Sequence, residues 1–318
     1  MKKFPNLIGM IFNRPQLAAP ELMFEAVNFA KNHLGMIIAN DPIPRMALAT
    51  SDDDGDEADE STDDDSGIAQ IGIYGPLVPR LGDVDWCRQM TSYESVGAKI
   101  DAAVADPEIT HIVLDINSPG GAATGAFELA DKIRAANAIK PISAIVHYSA
   151  YSGGYLLAAA AGEISLSQSS GVGSIGVIAQ HFDVSKMNEQ MGVTVTTVYR
   201  GSHKADLNPN EPLSDSSMQT LNSMLDRTYD QFTGYVAKFR GLPVQAVKAT
   251  EAGLYFGQDA VDAGLADRFE TAQEAINRIA QAAQVARAAK LTPANAFVNA
   301  SGQKMRLTAA AMDVKNSL

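Results

Sequence analysis

The stretch Ser149-Ala150-Tyr151-Ser152-Gly153-Gly154-Tyr155 joins an apolar, β-branched run, residues 141–148 (PISAIVHY), to a run of small and apolar residues, 155–161 (YLLAAAA). The first run reads as a buried strand and the second as a tightly packed helix, so the chain turns from sheet to helix through one serine and two glycines. The Ser152 hydroxyl then stands at a helix N-terminus, where unpaired backbone N–H groups and the macrodipole favour developing negative charge. Gly153 and Gly154 let a substrate carbonyl approach the backbone closely. Taken alone, the stretch is most simply a serine capping a helix after a glycine turn. The rest of the chain shifts that balance towards a nucleophile.

A second strand, turn and helix lies upstream. Residues 111–116 (HIVLDI) read as an apolar strand that runs into Asn117-Ser118-Pro119-Gly120-Gly121 and then a helix from about Thr124 to Asn137. Pro119 fixes one backbone angle and the glycine pair allows positive φ, so the turn can aim N–H groups outward with no side chain in the way. Acyl transfer needs such donors, because prepositioned N–H groups stabilise the oxyanion of the tetrahedral intermediate by about 3 to 4 kcal/mol each. Gly120 or Gly121 is the candidate for one donor and Gly153 for the other.

A serine hydroxyl is a poor nucleophile without a base. Lys204, in Tyr199-Arg200-Gly201-Ser202-His203-Lys204-Ala205-Asp206, follows the β-rich run 193–199 (VTVTTVY). Lysine serves as a general base where burial disfavours its ammonium form. His203 is the competing base, and His147 lies near Ser152 in sequence; either would build a Ser/His arrangement. No carboxylate partner can be assigned to either histidine from sequence, so residue chemistry alone does not choose among the three.

Several motifs in one order do choose. Asn117–Gly121, Tyr151–Tyr155, Gly173-Ser174-Ile175-Gly176-Val177, Gly201–Lys204 and Gly257–Asp267 (GQDAVDAGLAD) resemble the signal peptide peptidase A family of serine/lysine peptidases, including its phage branch of capsid assembly (prohead) proteases. The resemblance covers roughly residues 68–269. It implies that Ser152 is the nucleophile, Lys204 the general base and Ser174 the hydroxyl that holds the lysine amine. It implies an α/β fold, a Clp protease/crotonase-like spiral of β-β-α units, and a homo-oligomer with sites composed near subunit contacts. The turn-rich apolar stretch 170–176 would supply dry surroundings in which an amine stays neutral.

Composition sets the context. The chain has 318 residues, 46% of them hydrophobic, and a net charge of −12. Residues 51–66 (SDDDGDEADESTDDDS) carry ten of the acidic residues and no Lys or Arg, so the remainder carries only −2. That tract repels itself and is poor in apolar residues, which predicts a flexible acidic segment; it lacks the glycine spacing and terminal Glu of a calcium loop. The charge gives no support to nucleic-acid binding. The single cysteine, Cys87, excludes an internal disulfide and fits a reducing cytosol, and the five histidines show no metal-ligand spacing. No cofactor or metal is expected.

Residues 4–12 (FPNLIGMIF) are too short to cross a bilayer, and no run approaches the ~20 apolar residues that a membrane span needs. The cellular signal peptide peptidases are anchored, so the phage branch is favoured. Four regions are expected: an N-terminal region 1–50, with a helix from Pro20 to His33 and strand residues at 36–38; the acidic tract 51–67; a peptidase core 68–270, with an amphipathic helix from about Ser217 to Phe239; and an Ala/Gln-rich helix with a mobile tail, 271–318. Small-residue stretches at 299–301 and 308–311 would suit self-cleavage. The expected function is a serine endopeptidase acting in the bacterial cytoplasm or inside the procapsid on scaffold or portal proteins, with polypeptide substrates and phage scaffold, portal and major capsid proteins as partners. The rival readings are a soluble signal-peptide or leader-peptide peptidase and an inactive capsid scaffolding protein.

Overall fold

The computed structural model describes residues 12–27, 67–80 and 90–288. The acidic tract, Trp86, Cys87, the strand expected at 36–38, the end of the helix expected from Pro20 and the C-terminal tail with its cleavage candidates lie outside the described residues. In chain order the strands are β1 (Gln16–Ala18), β2 (Ile68–Tyr74), β3 (Leu77–Val78), β4 (Thr91–Ser92), β5 (His111–Ser118), β6 (Gly120–Ala122), β7 (Ile142–Tyr151), β8 (Glu163–Leu166), β9 (Gly171–Gly173), β10 (Leu254–Phe256) and β11 (Arg268–Phe269). They form two sheets in a mixed α/β architecture, a small one ordered β1-β6-β3-β4 and a larger one built on β10-β9-β7-β5-β2.

The centre of the larger sheet is parallel. Ile112 faces Ile142 and Ile68 faces His111 in register, and helices supply the crossovers between β2, β5 and β7. Parallel strands buried on both faces read as continuous apolar runs, which is why β5 and β7 stand out in the sequence. β7 is long and shared: residues 143–146 pair with β8, and 149–151 pair with β9. The two neighbours carry the same strand from the deep core up to Ser152.

Helix Gly153–Ala160 is buried over all eight residues. Its apolar residues share one core cluster with Ile112, Leu114, Phe232 and Val236. A helix apolar on every side must lie inside a domain, and its alanines let neighbours approach closely. The amphipathic helix runs Asp215–Arg240, capped by the Ser214 hydroxyl and ended by Gly241 at φ +66°. It buries Leu221, Thr228, Phe232, Val236 and Phe239, a spacing that keeps one face inward.

The closing segment ties this helix to the one after Ser152. Tyr155 Oη donates to the Leu265 carbonyl at 2.9 Å, and Arg240 forms a two-point pair with Asp267, both contacts 2.8 Å. Burial works against the Asp267 carboxylate, but the Arg240 guanidinium and the Ile164 N–H outweigh it and hold its pKa below the ordinary value. Asp267→Asn is expected to destabilise the fold by up to about 3 kcal/mol, lessened by the partial exposure of the carboxylate, because it leaves the Arg240 cation without its countercharge. A carboxylate with a depressed folded pKa contributes fully above its unfolded pKa, and that contribution is lost as pH falls through the folded value. Urea midpoints measured on acidification should therefore fall in the wild type and change less in Asp267→Asn.

Two elements differ from the sequence expectation. Residues 193–199 form neither helix nor strand, and Val198 is 80% exposed. The alternation suits a strand, but a strand needs an edge to pair with, and none of the described strands pairs with this run. The second is β1, three residues of the N-terminal region that join the small sheet beside β6. Among the described residues, no helix is long and apolar enough to cross a membrane.

Candidate active site

Ser152 stands where β7 ends and the buried helix begins. Tyr151 faces Gly173 in parallel register, so Ser152 and Ser174 follow the last paired residues of adjacent strands. The Ser152 N–H donates to the Gly173 carbonyl at 2.9 Å, and its own carbonyl accepts from Leu156 N at 3.0 Å, which closes the first helical turn. Between these two bonds the backbone is forced to φ 52°, ψ −114°. A residue with a Cβ adopts such angles at a cost of about 1 to 3 kcal/mol, and such strain clusters at functional sites. Ser174 also has positive φ, 53°. Both serines are buried. The Ser152 hydroxyl lies 3.4 Å from the Gly176 carbonyl, a long and weak bond that leaves it available for another partner.

The upstream glycine turn reaches the same place. Ser118 Oγ donates to Gly75 O at 2.7 Å and accepts from Gly120 N at 3.1 Å, which pins the Pro119-Gly120 turn between β5 and β6. Gly120 has φ +92°, and a Cβ placed on it would lie 2.9 Å from the Gly153 nitrogen and 2.1 Å from the Leu17 carbonyl oxygen. A Cβ placed on Gly153 would lie 3.5 Å from the Gly121 nitrogen. The two glycine turns therefore meet beside Ser152, although 32 residues separate Gly120 from Ser152 in the chain. Gly120→Ala is expected to cost roughly 2 to 4 kcal/mol, from its left-handed backbone and the steric overlap, and thermal denaturation measures it.

The three candidate bases lie elsewhere. Lys204 is exposed, its N–H donates to Gly201 O at 3.1 Å, and no hydrogen bond or ion pair joins its amine to Ser152 or Ser174. Both histidines have carboxylate partners that the sequence did not reveal. His203 Nδ1 lies 2.9 Å from Asp206, whose carboxyl is held below its ordinary pKa first by that hydrogen bond and then by Thr220. His147 Nδ1 lies 3.3 Å from Asp115, which also accepts from Tyr74 Oη at 2.6 Å. No hydrogen bond links either histidine to Ser152. An open cavity of about 320 Å³, lined by Gly176, Val177, Leu225, Asp226, Tyr229 and Ala252 among others, adjoins the carbonyl that faces the Ser152 hydroxyl.

The sequence reading missed Leu17. Its carbonyl oxygen is the atom nearest to a Cβ built on Gly120, and also to one built on Gly153, where it would lie at 3.1 Å. The only hint in the sequence is the short apolar pair Leu17-Ala18 after Pro15, too brief to carry a periodic pattern.

Known proteins are similar to this chain in sequence. The Capsid assembly protease C of Escherichia phage lambda is 36% identical over 286 residues, 87% of this chain and 65% of the relative. The Head-tail preconnector protein GP5 of Enterobacteria phage P21 is 39% identical over 217 residues, 68% of this chain and 43% of the relative. The chloroplastic Serine protease SPPA of Arabidopsis thaliana is 30% identical over 182 residues, 57% of this chain and 27% of the relative. The chain thus spans less than two thirds of the length of each. Residues 134–286, which hold Ser152, Ser174, Lys204 and the closing segment, match the model of peptidase family S49.

Proposed function

We propose that the protein is a serine endopeptidase of phage procapsid maturation that works through a Ser152/Lys204 dyad and an acyl-enzyme. The observation that carries this reading is the meeting of a strained, buried serine at a helix N-terminus with two glycine turns, in a chain 36% identical to a capsid assembly protease. Neutral Lys204 takes the proton of Ser152 as the hydroxyl attacks a peptide carbonyl. Gly153 and the Gly120-Gly121 turn stabilise the oxyanion. Lys204 passes the proton to the leaving amine, and water then enters with lysine again as base. Ser174, at the end of the strand next to Ser152, orients the amine.

Lys204 must come to Ser152 for this chemistry. In the proposed working form, a homo-oligomer of a Clp/crotonase-like spiral fold, contact with a second copy covers the exposed Val193, Val195, Val198 and Tyr199 and brings a Lys204 to each Ser152. Large apolar side chains gathered on one exposed segment fit such a contact. Scaffold and portal proteins are the proposed substrates, cut in the bacterial cytoplasm or inside the procapsid.

Incubation with procapsid proteins and with secretory leader peptides, in parallel, tests the setting. Cleavage of scaffold or portal protein, absent in Ser152→Ala, supports the reading. Cleavage of leader peptides alone supports the leader-peptidase alternative. No cleavage of either, with no covalent labelling of Ser152, supports an inactive scaffolding protein.

A further inference from the structure

We infer that residues 13–19 lie in the peptide-binding groove of the site as a built-in, substrate-like strand, with Leu17 in the position of the acyl residue. The inference rests on the reading of Ser152 as the nucleophile and names how that site recognises, and is withheld from, a peptide.

Two walls lead away from Ser152. β6 follows directly on the Gly120 turn, and residues 176–180 follow directly on Ser174. β1 lies between them. On one side Gln16, Leu17 and Ala18 pair antiparallel with Ala122, Gly121 and Gly120. On the other, Gln16 N donates to Ile178 O at 2.8 Å, Ile178 N donates to Gln16 O at 3.1 Å, and Asn13 N donates to Gln180 O at 2.9 Å. Ala19 N continues the pairing to Pro119 O at 2.8 Å. Extended peptides bind sheet edges by this kind of main-chain pairing, and side-chain pockets then add selectivity.

The register gives the strand its meaning. The Leu17 carbonyl oxygen and the Gly153 nitrogen lie 2.1 Å and 2.9 Å from the same point, the Cβ position of Gly120. The Leu17 Cβ in turn lies 3.4 Å from the Cβ position of Gly153. The carbonyl of residue 17 is thus the one presented to the two glycine turns next to Ser152, as the carbonyl of a bond to be cut would be. Its side chain is fully buried, so the groove offers an apolar pocket to the residue before the cut. The residues that follow, Ala18 and Ala19, are small and buried. The groove accordingly suits an extended peptide with a leucine-sized residue before the cut and small residues after it. A strand tethered to the same chain competes at an effective concentration in the millimolar range, so an incoming peptide must first displace it.

The test separates occupancy from catalysis. A fluorescein-labelled peptide copying residues 13–19 (NRPQLAA) is titrated by fluorescence polarisation into Ser152→Ala protein, alone and combined with Leu17→Gly or Gln16→Pro. Gln16→Pro removes the N–H that bonds Ile178 and leaves the Leu17 side chain in place. The inference predicts that either change tightens peptide binding by about tenfold, while Ile279→Ala, buried in a separate core cluster, leaves it unchanged. Equal binding in all four proteins, or the same tightening in Ile279→Ala, overturns the inference. Labelling of the active protein by a leucine-ending phosphonate reports on Ser152 independently. Labelling without a change in peptide binding leaves the nucleophile standing and removes the built-in strand; the converse removes the nucleophile and leaves the strand.

Discussion

Ser152→Ala is expected to lower peptide hydrolysis by on the order of 10³-fold or more while leaving the protein folded. The size follows from the proposed mechanism: without the oxygen no acyl-enzyme forms, and only binding and the proposed oxyanion donors still favour reaction. The preserved fold follows from the local structure. Alanine keeps the Cβ, so the positive-φ strain at position 152 is unchanged, and the deleted hydroxyl holds only a 3.4 Å contact to Gly176 O. Thermal midpoints within a few degrees of the wild type, with turnover absent, are the expected pair of results. Turnover that persists in Ser152→Ala would place the nucleophile elsewhere.

Lys204→Ala is expected to produce a loss of comparable size, and His203→Ala a small one. The two residues are neighbours on the same exposed segment, so disturbance of that segment alone would affect both alike. What differs is chemistry. His203 is already engaged with Asp206, which Thr220 also holds, whereas among the described residues no such contact engages the Lys204 amine. A lysine base works only when neutral, so hydrolysis should rise towards alkaline pH, and that rise should vanish with Lys204→Ala. Full loss in His203→Ala with activity retained in Lys204→Ala would replace the Ser/Lys dyad by Ser/His chemistry.

What the sequence made legible was local. The strand, glycine turn and helix at Ser152, and the similar unit ending at Gly121, are contiguous patterns whose apolar runs and glycines mark their own boundaries. The structure places β5, β7 and the buried helix close to where those patterns lie, with the helix beginning two residues earlier, at Gly153. Long-range partners were not legible. Asp115, which pairs with His147, lies 32 residues away, and nothing in either segment announces the other. β1 escaped because three residues carry no periodicity and their pairing is with β6, about a hundred residues on. The β-rich run 193–199 differs from the structure for the opposite reason. Its alternation is a genuine strand pattern, but pattern sets only which face would be buried, and pairing needs an edge that this run does not have within the described residues. The role proposed for Lys204 rests on the order of motifs alone, since an exposed loop lysine has no local mark of a base.

The proposed mechanism forms one covalent bond at Ser152, and the direct measurement is to trap it. The protein is treated with a leucine-ending peptide phosphonate, digested and mapped by mass spectrometry. A single adduct is expected on the peptide that contains Ser152, absent in Ser152→Ala and strongly slowed in Lys204→Ala. An adduct on another residue, or none in protein that still cleaves its substrate, would contradict it.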